Sequence, residues 1–464
     1  MKTILALFDS YTVQSQELLH SLKSADLPLQ TVFCQYTGEI PSDSICPFTY
    51  YTGLQDHIHN SMCTPLFFNK VPIPKWAEIR QGNHQYAQIL VDGYTIGKIN
   101  YLTDSFRLVE SVDWLSRNGL ITSRDLYNQC GTKFATTYFT NDQPYQTVYF
   151  RLNGNSEGTS QIEVCHRTNF ITLRSGMTSS ALVPSNNDAS NNQQLRHFTS
   201  LAHFVSHFID DLNINDTQTI INSLSHPLFV MRMRSRSPQT SLFWQERLDK
   251  EPPGNMDIEL KDPIALRQII FHDYSQLKSI TKQYPSTNIK FSYLSHLNRF
   301  QEHDNYQSLR TFTLTHTDNL PGLEQILQSF PNLSVCVGAL TTMSDKLLQL
   351  SQQFPNLHLR PVINRTGIKE ELSRASIYLD INEGQHVYDI VKAAYHLNLL
   401  VLAIDTHAKE PEYELTVSSI NDLLLLLQQA TSSIDARSHL MTTLHQITGP
   451  QSTSLDYINT LYTS

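Results

Sequence analysis

The stretch "SIYLDINEGQHVYDIVKAAYHLNLLVLAID", Ser376 to Asp405, reads as strand, turn, helix and strand. The outer runs, 376–381 and 399–405, are apolar almost throughout, and helical periodicity fills 386–397 between them. Continuous apolar strands flanking an amphipathic helix imply parallel strands covered on both faces. Working outward, the alternation repeats. Strands are expected at "TFTLTH" (311–316), "LSVCVGAL" (333–340) and "LHLRPV" (357–362), and helices near 320–330, 342–353 and 368–374. "INDLLLLLQQA" (420–430) follows as a further helix. The last third is therefore predicted to be a Rossmann-like domain, 305–431, with a helical tail over 432–464.

The N-terminus opens the same way, with "TILALFD" as a strand and 12–24 as a helix, and the pattern then breaks. It resumes near 195, where Phe198, Leu201, Ala202, Val205, Phe208, Ile209 and Leu212 fall on one helical face. Strands are expected at "TQTIIN" (217–222), "LFVMRM" (228–233) and "IKFSYL" (289–294). These pieces, 1–66 and 187–304, read as one Rossmann-like domain interrupted by an insertion.

The insertion, 67–186, has short runs of Val, Ile, Phe, Tyr and Thr broken by Asn, Asp and Gly. Its segments 112–123, 124–135 and 136–147 show related patterns offset by twelve residues: Gly119 and Gly131, Asp113 and Asp125, Tyr127 and Phe139. A short period with a turn signal in each unit predicts an extended antiparallel meander. Its aromatic residues form one packed face, against either its own domain or a partner. The polar run 184–194 is expected as a surface linker and 235–257 as a functional loop or lid. Phe243 and Trp244 in that loop either anchor it to the core or touch a partner, the first being favoured.

A chain of 464 residues, 40% hydrophobic, holds two to four domains. A formal charge of −9 argues against broad nucleic-acid binding, which needs a basic surface. The six cysteines show no metal-ligand spacing, so most are expected to be reduced core or surface thiols in a cytoplasmic protein, with no metal and no cofactor. The start "MKTILALFDSY" suits a buried strand better than a signal peptide, and no window approaches the roughly 18 apolar residues that cross a bilayer. Peripheral contact with the inner face of the membrane stays open.

The order of elements, with "VDWLSRNGLITSRDLYNQCG" in the meander and "ALTTMSDKLLQL" and "RASIYLDINEGQHVYDIVKAAYHLNLLVLAIDT" in the last domain, resembles a known family. That family is the accessory, stabilising subunit of the two-protein O-N-acetylglucosaminyltransferase that modifies serine-rich repeat adhesins in streptococci and lactobacilli. The resemblance spans nearly the whole chain. It implies a GT-B-type architecture of two Rossmann-like domains with an inserted antiparallel sheet. It further implies a hetero-oligomer with the catalytic homologue, two copies of each being compatible, and recognition of the serine-rich acceptor.

Active relatives carry two glutamates eight positions apart after the fourth strand of the last domain. Here Glu383 matches the first, and Val391 stands at the second. They also place a cation after that domain's first strand, where "LTHTDNLPG" offers His316 and Asp318, and a glycine-rich first loop, where "FDSYTVQSQE" has no glycine. Sugar transfer needs cations and helix N-termini near a diphosphate. Three departures of one kind favour a non-catalytic chain whose interdomain cleft holds polypeptide. The candidate cleft residues are His316, Asn382, Glu383 and His386, and the candidate partner-facing residues are Trp114, Arg124, Tyr127 and Tyr138.

Plainer readings stand beside these. Glu383 reads equally as a turn cap before the helix, and His386 as a solvated side chain. Arg360 and Arg365 read as surface ion-pair partners, and the basic cluster "RMRSRS" (232–237) as a solvated face. Two other functions remain open: an active glycosyltransferase using UDP-N-acetylglucosamine at an atypical donor site, and a binding module unrelated to glycosylation.

Overall fold

The computed structural model describes residues 2–60, 63–83, 85–103, 105, 107–152, 158–175, 194–215, 218–234, 239–246, 248, 252–297, 309–385 and 387–462. The chain divides into two units, residues 1–270 with 286–291 and residues 271–285 with 292–464. The expected linker at 184–194 lies, all but its last residue, outside the described residues, as do 235–237 of the basic cluster.

A seven-stranded sheet organises the N-terminal half. Its order is Lys290–Tyr293, Leu266–Phe271, Thr240–Trp244, Thr219–Ile221, Ile4–Phe8, Leu29–Phe33 and Ser44–Ile45. Ile4–Phe8 pairs in parallel with Leu29–Phe33 on one side and Thr219–Ile221 on the other, so Leu5 lies beside Thr219. Every residue of Ile4–Phe8 is fully buried, as a central strand covered on both faces must be. The helix Leu201–Asp211 buries Ala202, Phe204, Val205, Phe208 and Ile209. The Ser200 side chain caps it by accepting from the His203 N–H.

Two readings are corrected here. "LFVMRM" is not a strand but part of the helix His226–Arg234. A short apolar run carries too few residues to separate the two periods, whereas Pro227, second in the helix, is a start signal. The segment expected as a lid contains the buried strand Thr240–Trp244 and the helix Gly254–Lys261. Phe243 and Trp244 are core residues of the sheet.

The insertion is a ten-stranded antiparallel meander, each strand lying beside its sequence neighbour from Glu78–Gln81 to Gln194–Phe198. The sheet thus runs past the expected boundary at 186. Asp113 stands opposite Arg124 and Asp125 opposite Thr136 in successive strand pairs, and Gly119 and Gly131 take left-handed backbone at the turns. Cys63 and Cys130 form a disulfide, a pairing the sequence reading did not foresee, while Cys34, Cys46, Cys165 and Cys336 are free thiols. A Cβ added to Gly131 would lie 2.8 Å from the Thr64 carbonyl oxygen, so the hairpin tip is pressed against the segment that carries Cys63. Two cysteines 67 residues apart leave no spacing signal in the sequence.

The second unit holds a six-stranded parallel sheet. Its order is Leu357–Arg360, Ser334–Ala339, Arg310–Thr315, Ile377–Asp380, Leu400–Ile404 and Leu415–Val417. The helices Leu323–Ser329, Asp345–Gln353, Arg365–Arg374 and Ile390–His396 alternate with the strands, and Ile420–Ser432, Ile434–Thr448 and Ser454–Tyr462 follow. Among the described residues no helix is long and apolar enough to cross a membrane.

Candidate functional site

Strand order in the second unit reverses between Arg310–Thr315 and Ile377–Asp380. Loops leaving a parallel sheet at such a point diverge, and ligands bind there outside the carboxyl ends. His316 follows the first of these strands; Asn382 and Glu383 follow the second. The structure brings the three together. The His316 ring lies so close over Gly384 that an added Cβ would stand 2.5 Å from its Cε1. Asn382 is buried, and Glu383 is 43% exposed at its side chain. His386 lies outside the described residues.

Glu383 does not cap the helix. The helix starts only at Ile390, after Tyr388 in left-handed backbone. Instead Glu383 holds the neighbouring loop: its Oε2 accepts from Asn319 Nδ2, and its N–H donates to the Asn319 carbonyl at 3.1 Å. Its Oε1 lies 3.8 Å from His407 Nε2. Val391, at the position of the second glutamate, is fully buried within the hydrophobic core of the unit. A carboxylate on this backbone would point into hydrocarbon, where an unpaired charge is strongly disfavoured.

A cation that the sequence reading passed over does sit here. Lys409 Nζ donates to the Asn382 carbonyl at 2.6 Å and to the His407 carbonyl, and it stands 3.3 Å from Asp380 Oδ1. The Lys409 N–H donates to Asp380 Oδ2 at 2.9 Å. Asp380 is 1% exposed. The ammonium is thus engaged by the protein's own acceptors rather than held out toward a diphosphate. Its only signal in the sequence was a lysine following the Leu400–Ile404 strand.

Beside this pair lies Glu414, also buried, whose Oε1 accepts from the Glu410 N–H at 3.2 Å. Burial, and then the charge of Asp380, push its carboxyl up to about 8. The folded chain therefore keeps a proton that the unfolded chain releases near the ordinary carboxylate value. Stability from this group is complete below that value and is lost as pH rises toward 8. Glu414→Gln is expected to abolish a decline in urea stability of up to about 1.4 kcal/mol per pH unit between pH 6.5 and 8. A parent and variant with parallel pH profiles in that window would refute the assignment.

Arg360 pairs with Glu371 at 3.5 Å and Glu370 at 3.9 Å, and the Arg365 guanidinium lies over the Tyr388 ring. In the meander, Arg124 holds Asp113 through Nε and Nη2, and Trp114 Nε1 donates to Asp125 Oδ2 at 2.9 Å. Tyr127 is buried in the meander's own core. Tyr138 is 36% exposed, with its ring centroid 6.3 Å from that of Tyr145.

Four family models match in chain order: the GtfB N-terminal domain over 5–51, the GtfB middle domain over 77–180, the GtfB third domain over 202–282, and the GftB/GlyA-F C-terminal domain over 311–446. The UDP-N-acetylglucosamine–peptide N-acetylglucosaminyltransferase stabilizing protein GtfB of Streptococcus gordonii is 31% identical over 415 residues, 88% of this chain and 86% of that protein. The chain belongs to the GtfB family. The GtfB stabilizing protein of Streptococcus pneumoniae serotype 4 is 28% identical over 468 residues, 98% of this chain and 97% of its own. A chain in the crystal structure of a GtfA/B complex bound to UDP and GlcNAc superposes with a TM-score of 0.81 at 28% identity, covering 99% of each chain. The two Rossmann-like sheets and the inserted meander are thus the GT-B-type architecture of the GtfB family, as the sequence led one to expect.

Proposed function

We infer that this chain is the non-catalytic stabilising subunit of a two-protein peptide O-GlcNAc transferase, assembling with a catalytic homologue and presenting the serine-rich acceptor to it. The observation that carries the reading is the state of the strand-end site. The position of the second carboxylate is committed to the core, and the nearby ammonium is committed to Asp380 and two carbonyls. Neither group is placed to hold a departing nucleotide diphosphate, which needs exposed cationic donors. The likeness to the GtfB stabilizing proteins over most of both chains supports the same reading.

For the partner we propose the exposed part of the meander around Tyr138 and Tyr145, where Trp114 and Arg124 tie neighbouring strands through Asp125 and Asp113 and Tyr127 belongs to the meander's own core. Aromatic side chains held by a rigid sheet supply large contact area at low entropic cost. We place the complex in the cytoplasm, with any contact at the inner membrane face made peripherally.

The test is reconstitution with the catalytic homologue. A stable complex is expected, with no saturable binding of UDP-N-acetylglucosamine by this chain alone. Glu383→Gln is expected to leave turnover of an unmodified acceptor by the complex within about twofold, because a neutral amide still accepts from Asn319. Transfer by the isolated chain, or a large loss of turnover in Glu383→Gln at unchanged acceptor affinity, would instead establish an active enzyme with an atypical donor site.

A further inference from the structure

The first unit carries a cavity that the strand-end chemistry of the second unit does not explain. Its volume is about 600 Å³, within the range of small-molecule sites and far above what one water needs. It lies past the carboxyl end of the Leu29–Phe33 strand, where Gln35 lines it, and against the start of the His226–Arg234 helix. The meander closes its other side through Tyr149, Val164, His166 and Asn169.

The polar groups of this cavity are arranged by a network at the point where strand order reverses. Asp9, just past Ile4–Phe8, has its Oδ1 3.0 Å from His226 Nδ1 and 3.0 Å from Gln35 Nε2. Its N–H donates to Asn222 Oδ1 at 3.0 Å, just past Thr219–Ile221. A carboxylate at Nδ1 favours the tautomer that carries its proton on that nitrogen, in which Nε2 is an acceptor. His226 lines the cavity together with Gln35.

Its charges are already matched. The cavity's guanidinium, Arg232, donates from Nε to Glu259 at 2.8 Å and from Nη2 to the Asn255 carbonyl at 3.2 Å. His166 faces Thr147 at 2.8 Å, and burial holds its ring below the usual histidine range, so it stays neutral. The remaining walls are largely apolar, with Val164, Ile171, Leu201 and Met233 beside the Phe48 and Tyr149 rings, which lie 4.5 Å apart. Hydrogen-bonding side chains among largely apolar walls, with the lining guanidinium already paired, suit an uncharged ligand with hydroxyl and amide groups better than a phosphate.

We propose that this cavity binds a neutral hydroxyl- and amide-bearing group of the acceptor, with His226 Nε2 accepting the hydroxyl proton. The proposal rests on the reading of the chain as the acceptor-presenting subunit. Two sources share the chemistry, an unmodified serine- and threonine-rich peptide and the N-acetylhexosamine it comes to carry. The test is direct binding to the full chain without its partner, whose own acceptor site would confound the signal. The probes are a labelled serine/threonine-rich peptide by anisotropy and free N-acetylglucosamine by titration. Saturable binding of either is expected, the stronger naming the source. His226→Ala is expected to weaken it at least fivefold, and Val164→Trp, which fills the cavity, at least tenfold. Tryptophan emission and circular dichroism verify the fold of each variant. Unchanged affinity in both folded variants would overturn the site, and UDP binding that His226→Ala abolishes would overturn the ligand class. Absence of binding by either probe in a chain that still assembles with the transferase homologue would overturn the cavity proposal alone. Failure to assemble would fall on the stabilising-subunit reading instead.

Discussion

Glu259→Ala is expected to lower the stability of the first unit by at least about 4 kcal/mol, enough to shift its melting midpoint by roughly 10 °C. The side chain of Glu259 is fully buried. Its Oε1 takes Arg232 Nε at 2.8 Å, and its Oε2 takes three successive backbone N–H groups, those of Ile264, Ala265 and Leu266, at 3.0, 3.1 and 3.0 Å. One carboxylate thus satisfies the turn that launches the Leu266–Phe271 strand and the guanidinium that reaches it from the His226–Arg234 helix. Truncation leaves a mostly buried cation and three donors unpaired, each orphaned donor costing about 1–3 kcal/mol.

Graded variants separate the two parts. Glu259→Gln keeps one oxygen for the N–H groups but turns amide donors toward Arg232, and about half the loss is expected. Arg232→Met leaves the carboxylate with its three backbone donors and is expected to fall between parent and alanine. Trp244 lies in a neighbouring strand of the same sheet and reports the transition by fluorescence in urea. A Glu259→Ala chain within about 1 kcal/mol of the parent would contradict the argument.

The same region shows why some of the fold was readable and some was not. Strands such as Leu400–Ile404 announce themselves because a parallel strand buried on both faces must be apolar throughout. Thr240–Trp244 is equally buried, yet it opens with Thr240 and Ser241 and is flanked by polar residues. Its burial comes from its place between two strands, which no local pattern records. The meander was legible because each added strand and turn advances the chain by a similar length. Asp113 accepts from Arg124 and Asp125 from Thr136, and the second pair stands twelve residues after the first, so the twelve-residue offset reflects successive cross-strand pairs.

The candidate site was legible in its absences more than in its contacts. Val391 and the missing glycines could be read off the chain, and the burial of Val391 supplies the physical reason that no carboxylate belongs there. Lys409, Asp380 and Glu414 could not be found in this way. Asp380 ends the Ile377–Asp380 strand, whereas Lys409 and Glu414 lie in the segment between Leu400–Ile404 and Leu415–Val417, and spacing along the chain does not encode their meeting.

Acidification is expected to unfold the second unit before the first, because three of its histidines are held neutral. The His272 and His296 rings stack with centroids 3.8 Å apart. Burial lowers His272 and His396 to about 4 and pushes His296 well below the usual histidine range, and the charge of Lys392 adds to each. The unfolded chain takes up these protons near pH 6.5 while the folded chain refuses them, so stability is complete above that pH and is lost as pH falls toward 4. At pH 5 each ring contributes a loss of about 2 kcal/mol, and three together approach the whole stability of an ordinary domain. Glu414 works in the opposite sense over part of this range, so the comparison is made in a Glu414→Gln background. There, His272→Phe/His296→Phe is expected to keep the stacked packing and remove about two thirds of the slope between pH 6.5 and 5. Hydrogen exchange in the Ile434–Thr448 helix reads the second unit directly, whereas all three tryptophans, Trp76, Trp114 and Trp244, report only the first. Equal pH slopes in the two chains would show that the histidines are not the acid-labile element, and simultaneous loss of both signals would show that the units do not unfold in the expected order.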